Sequence, residues 1–199
     1  MMILAFAAMG LTAIAGEPKN SKTETLTVDA TQSTMKWHAE KVTGKHDGTV
    51  KLAGGTVIVD GNKLTGGTIE ADMTTIENTD VQGEYRAKLV NHLKSDDFFS
   101  VATHPKAVLV IKKAEVIKNQ KSAENTMVTA DLTIKGITNE ITFPAIVVIK
   151  KGEVIANADI NIDRTKYNIK YGSKSFIEGI GDKAIDDQFN LKVRVVAVK

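Results

Sequence analysis

The sequence predicts an all-β protein, an antiparallel barrel of eight strands or slightly more, with one amphipathic helix. Three observations support this. Apolar and polar residues alternate with a period of two along most of the chain, one segment alone has helical periodicity, and short turn signals separate the alternating runs. A closed barrel is favoured because closure removes exposed strand edges, and a two-sheet sandwich is the alternative.

Five alternating segments are clear, and each separates an apolar face from a polar face. They lie at residues 35–40, 69–73, 128–134, 154–162 and 189–197. Shorter apolar runs lie at residues 26–28, 49–52, 56–59, 108–111 and 141–149. Asp60-Gly61-Asn62 and Lys151-Gly152 predict hairpin turns between neighbouring strands.

Residues 83–94 predict the helix, because apolar residues recur there at four-residue spacing. These apolar residues are Tyr85, Leu89 and Leu93. Thr79 and Gln82 have the spacing of a capping box, and Glu84 and Lys88 have that of a favourable ion pair. We expect this helix to plug or flank the β-structure.

The apolar face of the strands contains many alanines, where a solid core would favour larger side chains. They are Ala39, Ala71, Ala130, Ala156, Ala158 and Ala197. An eight-stranded barrel is just wide enough to fill itself with side chains or to hold one small ligand, and small inward residues favour the ligand. Alternatively, these alanines lie beneath the helix or where the barrel tapers.

Composition and motifs argue against several functions. Lys and Arg (26) nearly balance Asp and Glu (24) and are spread along the chain, so nucleic acid is not an expected partner. The chain has no cysteine, and its four histidines lack metal-ligand spacing, so we expect neither a metal nor a cofactor. Ser33 and Lys36 match S-x-x-K, but Ser33 opens a strand where that mechanism needs a helix. We therefore do not predict an enzyme.

Residues 1–15 are uncharged and mostly apolar and end in Ala13-Ile14-Ala15, a small-x-small pattern typical of a signal peptide. A buried N-terminal helix is the alternative. We expect a bacterial product that is periplasmic or secreted, with a flexible leader at 16–24 and the barrel at 25–199.

Several blocks of the chain resemble the YceI-like family, in the branch found in Bacteroidetes-type bacteria. They read VDATQSTMKW from residue 28, HLKSDDFFSVATHP from 92, DLTIKGITNEITFP from 131, DRTKYNIKYGSKSF from 163 and GDKAIDDQF from 181. The resemblance implies a lipocalin-like barrel of eight strands that binds a polyisoprenoid or another long-chain amphiphile. Residues 40–48 depart from the family pattern, which puts the shape of the pore entrance in question.

The predicted function is an exported protein that holds a polyisoprenoid, an isoprenoid quinone or a fatty-acid-like amphiphile, as carrier or sequesterer. The expected partners are that long-chain apolar molecule and, transiently, a membrane; the oligomeric state is left open. The alternatives are a cell-surface interaction or scaffold module with a filled core, and an uncharacterised enzyme acting on lipids. The predicted pore wall consists of Trp37, Ile69, Met73, Leu109, Val128, Leu132, Phe143, Ala156, Ala158 and Ile160.

Three further residues are predicted at one end of the pore. Phe98 and Phe99 either close the pore or pack the helix onto the barrel. Counting by two along the fourth clear strand reaches Arg164, which places its guanidinium inside. Its partner is either a ligand head group or a carboxylate, and the carboxylate is favoured because such buried pairs commonly fix loops. The candidate carboxylates are Asp182, Asp186 and Asp187.

Overall fold

The computed structural model describes residues 22–118 and 123–199, and that part of the chain contains nine strands and one α-helix. The strands are β1 (Thr23–Val28), β2 (Thr34–Lys41), β3 (Gly44–Asp60), β4 (Lys63–Asn78), β5 (Lys106–Val116), β6 (Thr126–Ile134), β7 (Ile137–Lys150), β8 (Glu153–Asp163) and β9 (Ile185–Val198). The helix α1 is Gly83–Lys94, and short 3-10 turns span Arg164–Tyr167 and Gly181–Lys183.

The strands form one closed antiparallel barrel, as predicted. β3 pairs with β2 through its residues 44–50 and with β1 through its residues 56–60. On the other side, β9 pairs with both β2 and β1. β1 and β2 therefore share one position in the wall, and nine strands fill eight positions around the barrel.

A short turn separates β1 from β2. The Asp29 carboxylate accepts hydrogen bonds from the Thr31 hydroxyl and from the backbone N–H groups of Thr31 and Gln32. These bonds, with one from the Gln32 side chain, lower the pKa of Asp29 to about 2. The Ser33 hydroxyl accepts a hydrogen bond from the Val196 N–H at 3.0 Å, so Ser33 ties this turn to β9.

β3 is longer than the sequence indicated, because it joins the two runs predicted at residues 49–52 and 56–59. The join is a bulge: the register against β4 shifts between Leu52 and Gly54, where Gly54 has φ 139°. Such a φ favours glycine, so the same residue that interrupted the alternation allows one strand to continue. The predicted hairpin turns at Asp60-Gly61-Asn62 and Lys151-Gly152 are confirmed.

The predicted capping box of α1 is wrong. Gln82 is the N-cap, but within the described chain its side chain makes no capping hydrogen bond. The Thr79 hydroxyl instead donates to the backbone carbonyl of Asp47 at 3.2 Å, which holds the start of the helix against β3. The Thr79 hydroxyl, which was expected to cap the helix, is therefore bonded to a backbone carbonyl of β3.

The predicted apolar face of α1 is partly wrong. Tyr85 is 75% exposed, and the helix buries Val90, with Leu93 packed against the core. The ion pair between Glu84 and Lys88 is confirmed at 2.7 Å. No helix among the described residues is long and apolar enough to cross a membrane.

The barrel begins slightly earlier than predicted. β1 starts at Thr23, inside the expected leader at 16–24, and Thr23 pairs with Asp60 of β3. The expected signal peptide at 1–15 lies outside the described residues, as does most of the leader.

Candidate ligand-binding cavity

A cavity of about 190 Å³ runs inside the barrel. Side chains from every strand from β2 to β9, together with α1 and the segment after β8, contribute to its lining. Among the described residues that line it, Arg164 and Asp186 alone are charged, and the others are apolar. The interior can therefore exclude water from a hydrocarbon ligand, while polar contacts are confined to one end.

All thirteen residues predicted from the sequence lie on this cavity. They are Trp37, Ile69, Met73, Phe98, Phe99, Leu109, Val128, Leu132, Phe143, Ala156, Ala158, Ile160 and Arg164. Period-two alternation finds the residues that lie on strands and extends to Arg164, since a barrel turns one face of every strand inward, whereas Phe98 and Phe99 were predicted from their position after the helix. Their role in holding a ligand stays a prediction.

The inward alanines divide into two groups. Ala39, Ala71, Ala156 and Ala158 line the cavity, whereas Ala130 and Ala197 are fully buried in the wall and do not reach it. Two lining alanines, Ala107 and Ala145, were not singled out from the sequence. The alanines that line the cavity support the prediction of an interior left open by small side chains.

The lining row on β8 gives the length of the cavity. It consists of Val154, Ala156, Ala158, Ile160, Ile162 and, just beyond the strand, Arg164. From Val154 to Ile162, at about 3.3 Å per residue, this row covers about 26 Å of strand, or about 20 Å along the barrel axis at the usual strand tilt. The cavity is consequently long relative to its volume.

One end of the barrel is filled. Leu26 and Val28 of β1 and Val59 of β3 are buried at 1%, 5% and 4% exposure, yet they do not line the cavity. All three belong to the apolar core, and the register places Leu26 opposite Val57 and Val28 opposite Ala197, the partner of Val154. The cavity is thus blocked on the side of the β3–β4 and β7–β8 turns.

The opposite end lies under α1 and the segment that follows β8. The Phe98 ring is buried; it meets the His92 ring edge-on with centroids 4.9 Å apart, and it packs at a tilt against the Tyr171 ring with centroids 5.6 Å apart. Phe99 packs edge-on against Phe189 of β9. Both phenylalanines line the cavity while Phe98 also joins α1 to the loop, so the two roles considered for this pair coexist.

Arg164 has its guanidinium buried at this end, 3% exposed, where strand parity placed it. It is the first residue of the 3-10 turn after β8 and no longer part of the strand. Four backbone carbonyls accept its hydrogen bonds: Asp186 from Nε at 2.8 Å, Ile169 and Tyr171 from Nη1 at 2.9 and 2.8 Å, and Ile185 from Nη2 at 2.9 Å. The guanidinium therefore joins the segment after β8 to the start of β9.

A carboxylate completes this arrangement. Oδ1 of Asp187 lies 3.5 Å from Nη2 of Arg164. Burial raises the pKa of Asp187, but hydrogen bonds from Ser173 and Ser175 and the charge of Arg164 bring it below its usual range. Burial lowers the pKa of Arg164, and the nearby carboxylates oppose that change. Of the two partners predicted for Arg164, a ligand head group or a carboxylate, the structure contains the carboxylate, that of Asp187. Most N–H groups of Arg164 donate to backbone carbonyls.

Trp37 both lines the cavity and fixes two strands. Its indole Nε1 donates to the backbone carbonyl of Glu77 on β4 at 3.1 Å. Its ring lies over Gly48, its partner on β3, so closely that a methyl group there would collide with the ring and with the Glu77 carbonyl. Gly48 thus lets a large aromatic ring lie flat against the wall.

The histidines nearest the hairpin of β2 and β3 are not on the cavity. His38 bonds to Asp47 at 2.7 Å and to Glu40 at 3.1 Å, and both bonds raise the pKa of His38. His46 bonds to Asp80 at 2.9 Å. No group of three or more His, Cys, Asp or Glu residues in the described ranges is arranged to hold a metal. These pairs are surface contacts that fix the hairpin and the start of α1.

Comparison with known proteins agrees with this architecture. The barrel of BcnA from Burkholderia cenocepacia has a TM-score of 0.67 at 20% identity, covering 86% of this chain and 99% of that one. A polyisoprenoid-binding domain from Saccharophagus degradans, implicated in plant cell wall breakdown, has a TM-score of 0.62 at 13% identity, covering 89% and 99%. The YCEI protein of Campylobacter jejuni has a TM-score of 0.54 at 18% identity, covering 100% and 99%. At these identities the likeness concerns the fold.

Sequence comparison gives the family. UPF0312 proteins of Staphylococcus aureus are 39% identical over 88 residues, a match that spans 44% of this chain and 44% of the length of those relatives. The family model described as the YceI-like domain matches residues 26–197. The assignment to the Bacteroidetes-type branch stays a prediction. Because the family model covers nearly all of the barrel, the chain belongs to the YceI-like family.

Proposed function

We propose that this protein holds one long apolar molecule in its barrel, a polyisoprenoid, an isoprenoid quinone or a fatty-acid-like amphiphile, and acts as its carrier or sequesterer. The observation that carries the proposal is the cavity: a long interior whose apolar lining includes six small alanine side chains. Such a shape suits an extended chain better than a compact ring system. The Saccharophagus domain of the same fold, which is polyisoprenoid-binding, supports the proposal.

Burial supplies the binding free energy in this proposal. Each methylene removed from water contributes about 0.8 kcal/mol, or about a fourfold gain in affinity. Affinity for straight-chain ligands should therefore rise steeply with length until the chain fills the cavity, and then level off. A wall of aliphatic side chains discriminates length and bulk more than chemical identity.

Binding, and not catalysis, is proposed because of what reaches the cavity. Arg164 already donates to four carbonyls, and Asp186 contributes through its own carbonyl to the same network. Neither is paired with a nucleophile within the described part of the chain. We also propose that the protein is exported, on the strength of residues 1–15.

The experiment is extraction of protein purified from its native host into organic solvent, followed by mass spectrometry. Replacing Ala158 by Phe should expel the ligand at a cost of about 1–3 kcal/mol in stability, as in other overpacked interiors. Asn157→Phe is the matched control, because it adds the same ring to the polar face of β8. If Ala158→Phe keeps a full complement of lipid, the ligand does not occupy this cavity.

A further inference from the structure

Exposed apolar side chains gather at the Arg164 end of the barrel. We define the mouth patch as Val42, Tyr171, Phe176 and Ile177, which are 50%, 47%, 51% and 43% exposed. Tyr171, Phe176 and Ile177 lie in the loop between β8 and β9. Val42 is at the tip of the β2–β3 hairpin, and its N–H donates to the Ala184 carbonyl at the end of that loop. The four side chains thus belong to one edge of the barrel.

This loop is tied to the end of the cavity. The Arg164 guanidinium holds the Tyr171 carbonyl, and the Ser175 hydroxyl donates to Asp187. Asp186 lines the cavity at the start of β9 and is exposed, so one residue of the lining at this end reaches the surface, whereas Leu26, Val28 and Val59 are buried at the other end. Any long molecule that enters along the barrel axis would pass the mouth patch.

Lysines surround these apolar side chains. Four of them on the loop and its preceding turn are exposed: Lys166, Lys170, Lys174 and Lys183. Glu178 and Asp182 are the exposed acids within that segment, and exposed Asp186 follows it at the start of β9, so these exposed side chains together carry an excess of one positive charge. Lys170 Nζ lies 4.5 Å from the centroid of the Phe176 ring. The loop therefore combines aromatic, aliphatic and cationic side chains on one exposed surface.

We propose that the mouth patch docks on a bilayer surface rich in anionic phospholipid, so that the ligand passes between bilayer and cavity without crossing water. This inference rests on the proposed function. Aromatic rings favour the membrane interface, and lysines near the surface attract anionic head groups. A protein partner fits less well, because lysine is depleted at protein–protein interfaces.

The test is co-sedimentation with vesicles of phosphatidylcholine, with and without phosphatidylglycerol. The wild-type protein should bind the anionic vesicles, and Phe176→Ser with Ile177→Ser should weaken that binding about tenfold or more, since it removes both apolar anchors. The matched control is Val110→Ser with Val116→Ser, which removes two exposed valines from β5 in the barrel wall. Equal binding by the mouth-patch variant and its control would overturn the proposal, as would a wild-type protein that binds neither vesicle.

Charge reversal tests the electrostatic part. Lys170→Glu with Lys174→Glu should abolish the preference for phosphatidylglycerol, whereas Lys150→Glu with Lys151→Glu makes the same charge change at the far end and should keep it. If both pairs lose the preference equally, net charge alone is responsible and the mouth patch is not a docking surface.

A transfer assay separates failure of docking from failure of the proposed function. Delipidated protein is incubated with vesicles that carry a fluorescent polyprenol, and uptake is followed with time. The mouth-patch variant should load more slowly than its control and reach the same final content. Docking that depends on the patch, with no uptake by any variant, would refute only the cavity ligand. Uptake at the same rate by both variants would refute only the docking surface.

Discussion

Replacing Arg164 by Met distinguishes a structural role of this residue from a role in binding the head group of a ligand. The substitution keeps much of the aliphatic stem and removes every donor from a side chain that is 3% exposed. It leaves four backbone carbonyls without their hydrogen bonds and leaves Asp187 without its cation. If Arg164 is structural, the cost must appear in the empty barrel.

The magnitude follows from those contacts. Four hydrogen bonds at about 1 kcal/mol net each amount to about 4 kcal/mol, which agrees with about 3–5 kcal/mol for breaking a buried ion pair. With a urea dependence of about 2 kcal/mol per molar, the unfolding midpoint should fall by about 2 M. Arg194→Met is the matched control, because Arg194 is exposed on β9, and its effect should stay within about 0.5 kcal/mol.

The assay is urea unfolding of delipidated protein, with the lipid content of each purified variant measured in parallel. A structural role predicts the large loss of stability before any lipid is added. Near-normal stability of empty Arg164→Met, combined with weak lipid retention, would refute this reasoning and assign the guanidinium to a ligand head group.

Three further predictions concern the wall, the surface and the N-terminus. Gly48→Ala should cost about 1–3 kcal/mol, because the added methyl collides with the Glu77 backbone carbonyl and with the indole ring of Trp37. Gly66→Ala, where the methyl would make ordinary contacts at 3.8 Å, should be nearly neutral, and equal effects of the two variants in urea unfolding would contradict this. Hydrogen bonds with Asp47 and Glu40 raise the pKa of His38 in the folded protein. Protonated His38 therefore stabilises the fold fully below about pH 6.5, and this stabilisation is lost as the pH rises through the folded-state pKa of His38. His38→Gln should accordingly cost more stability at about pH 5.5 than at about pH 9, and parallel pH profiles would refute the ion pairs as its source. Intact-mass measurement of the product from its native host should show a chain that starts near Gly16, and a retained Met1 in a cytoplasmic fraction would overturn export.

Much of the barrel and its lining could be predicted because both depend on side-chain parity. Alternation assigned Ile160 and Ala158 to the interior, and it carried through to Arg164 even though β8 ends one residue earlier. Parity also places Phe189 and Leu191 of β9 inward, and both line the cavity, although neither was singled out as a site residue. For these two residues the sequence contains the same signal as for Ala158 and Ile160.

Other features left little signal. The partners of Arg164 are mostly backbone carbonyls, which every residue has, so residue types could not identify them. Thr79 has the spacing of a cap, but the tertiary fold brings the Asp47 carbonyl within its reach. Sharing of one wall position by β1 and β2 depends on the turn at Asp29, which composition alone does not distinguish from any other loop.

The pairing of β1 with β9 has a consequence for how the chain is made. Thr27 faces Val198, so the first and last strands meet at the seam, and β2 and β8 are both completed by the same final strand. During synthesis, which starts at the N-terminus, the sheet cannot close until residues 185–198 have been made. Proteins that depend on such non-local strand pairing fold slowly. Until then two long edges and the apolar interior stay uncovered, so a chain shortened before β9 is expected to aggregate, because no smaller barrel can satisfy those edges.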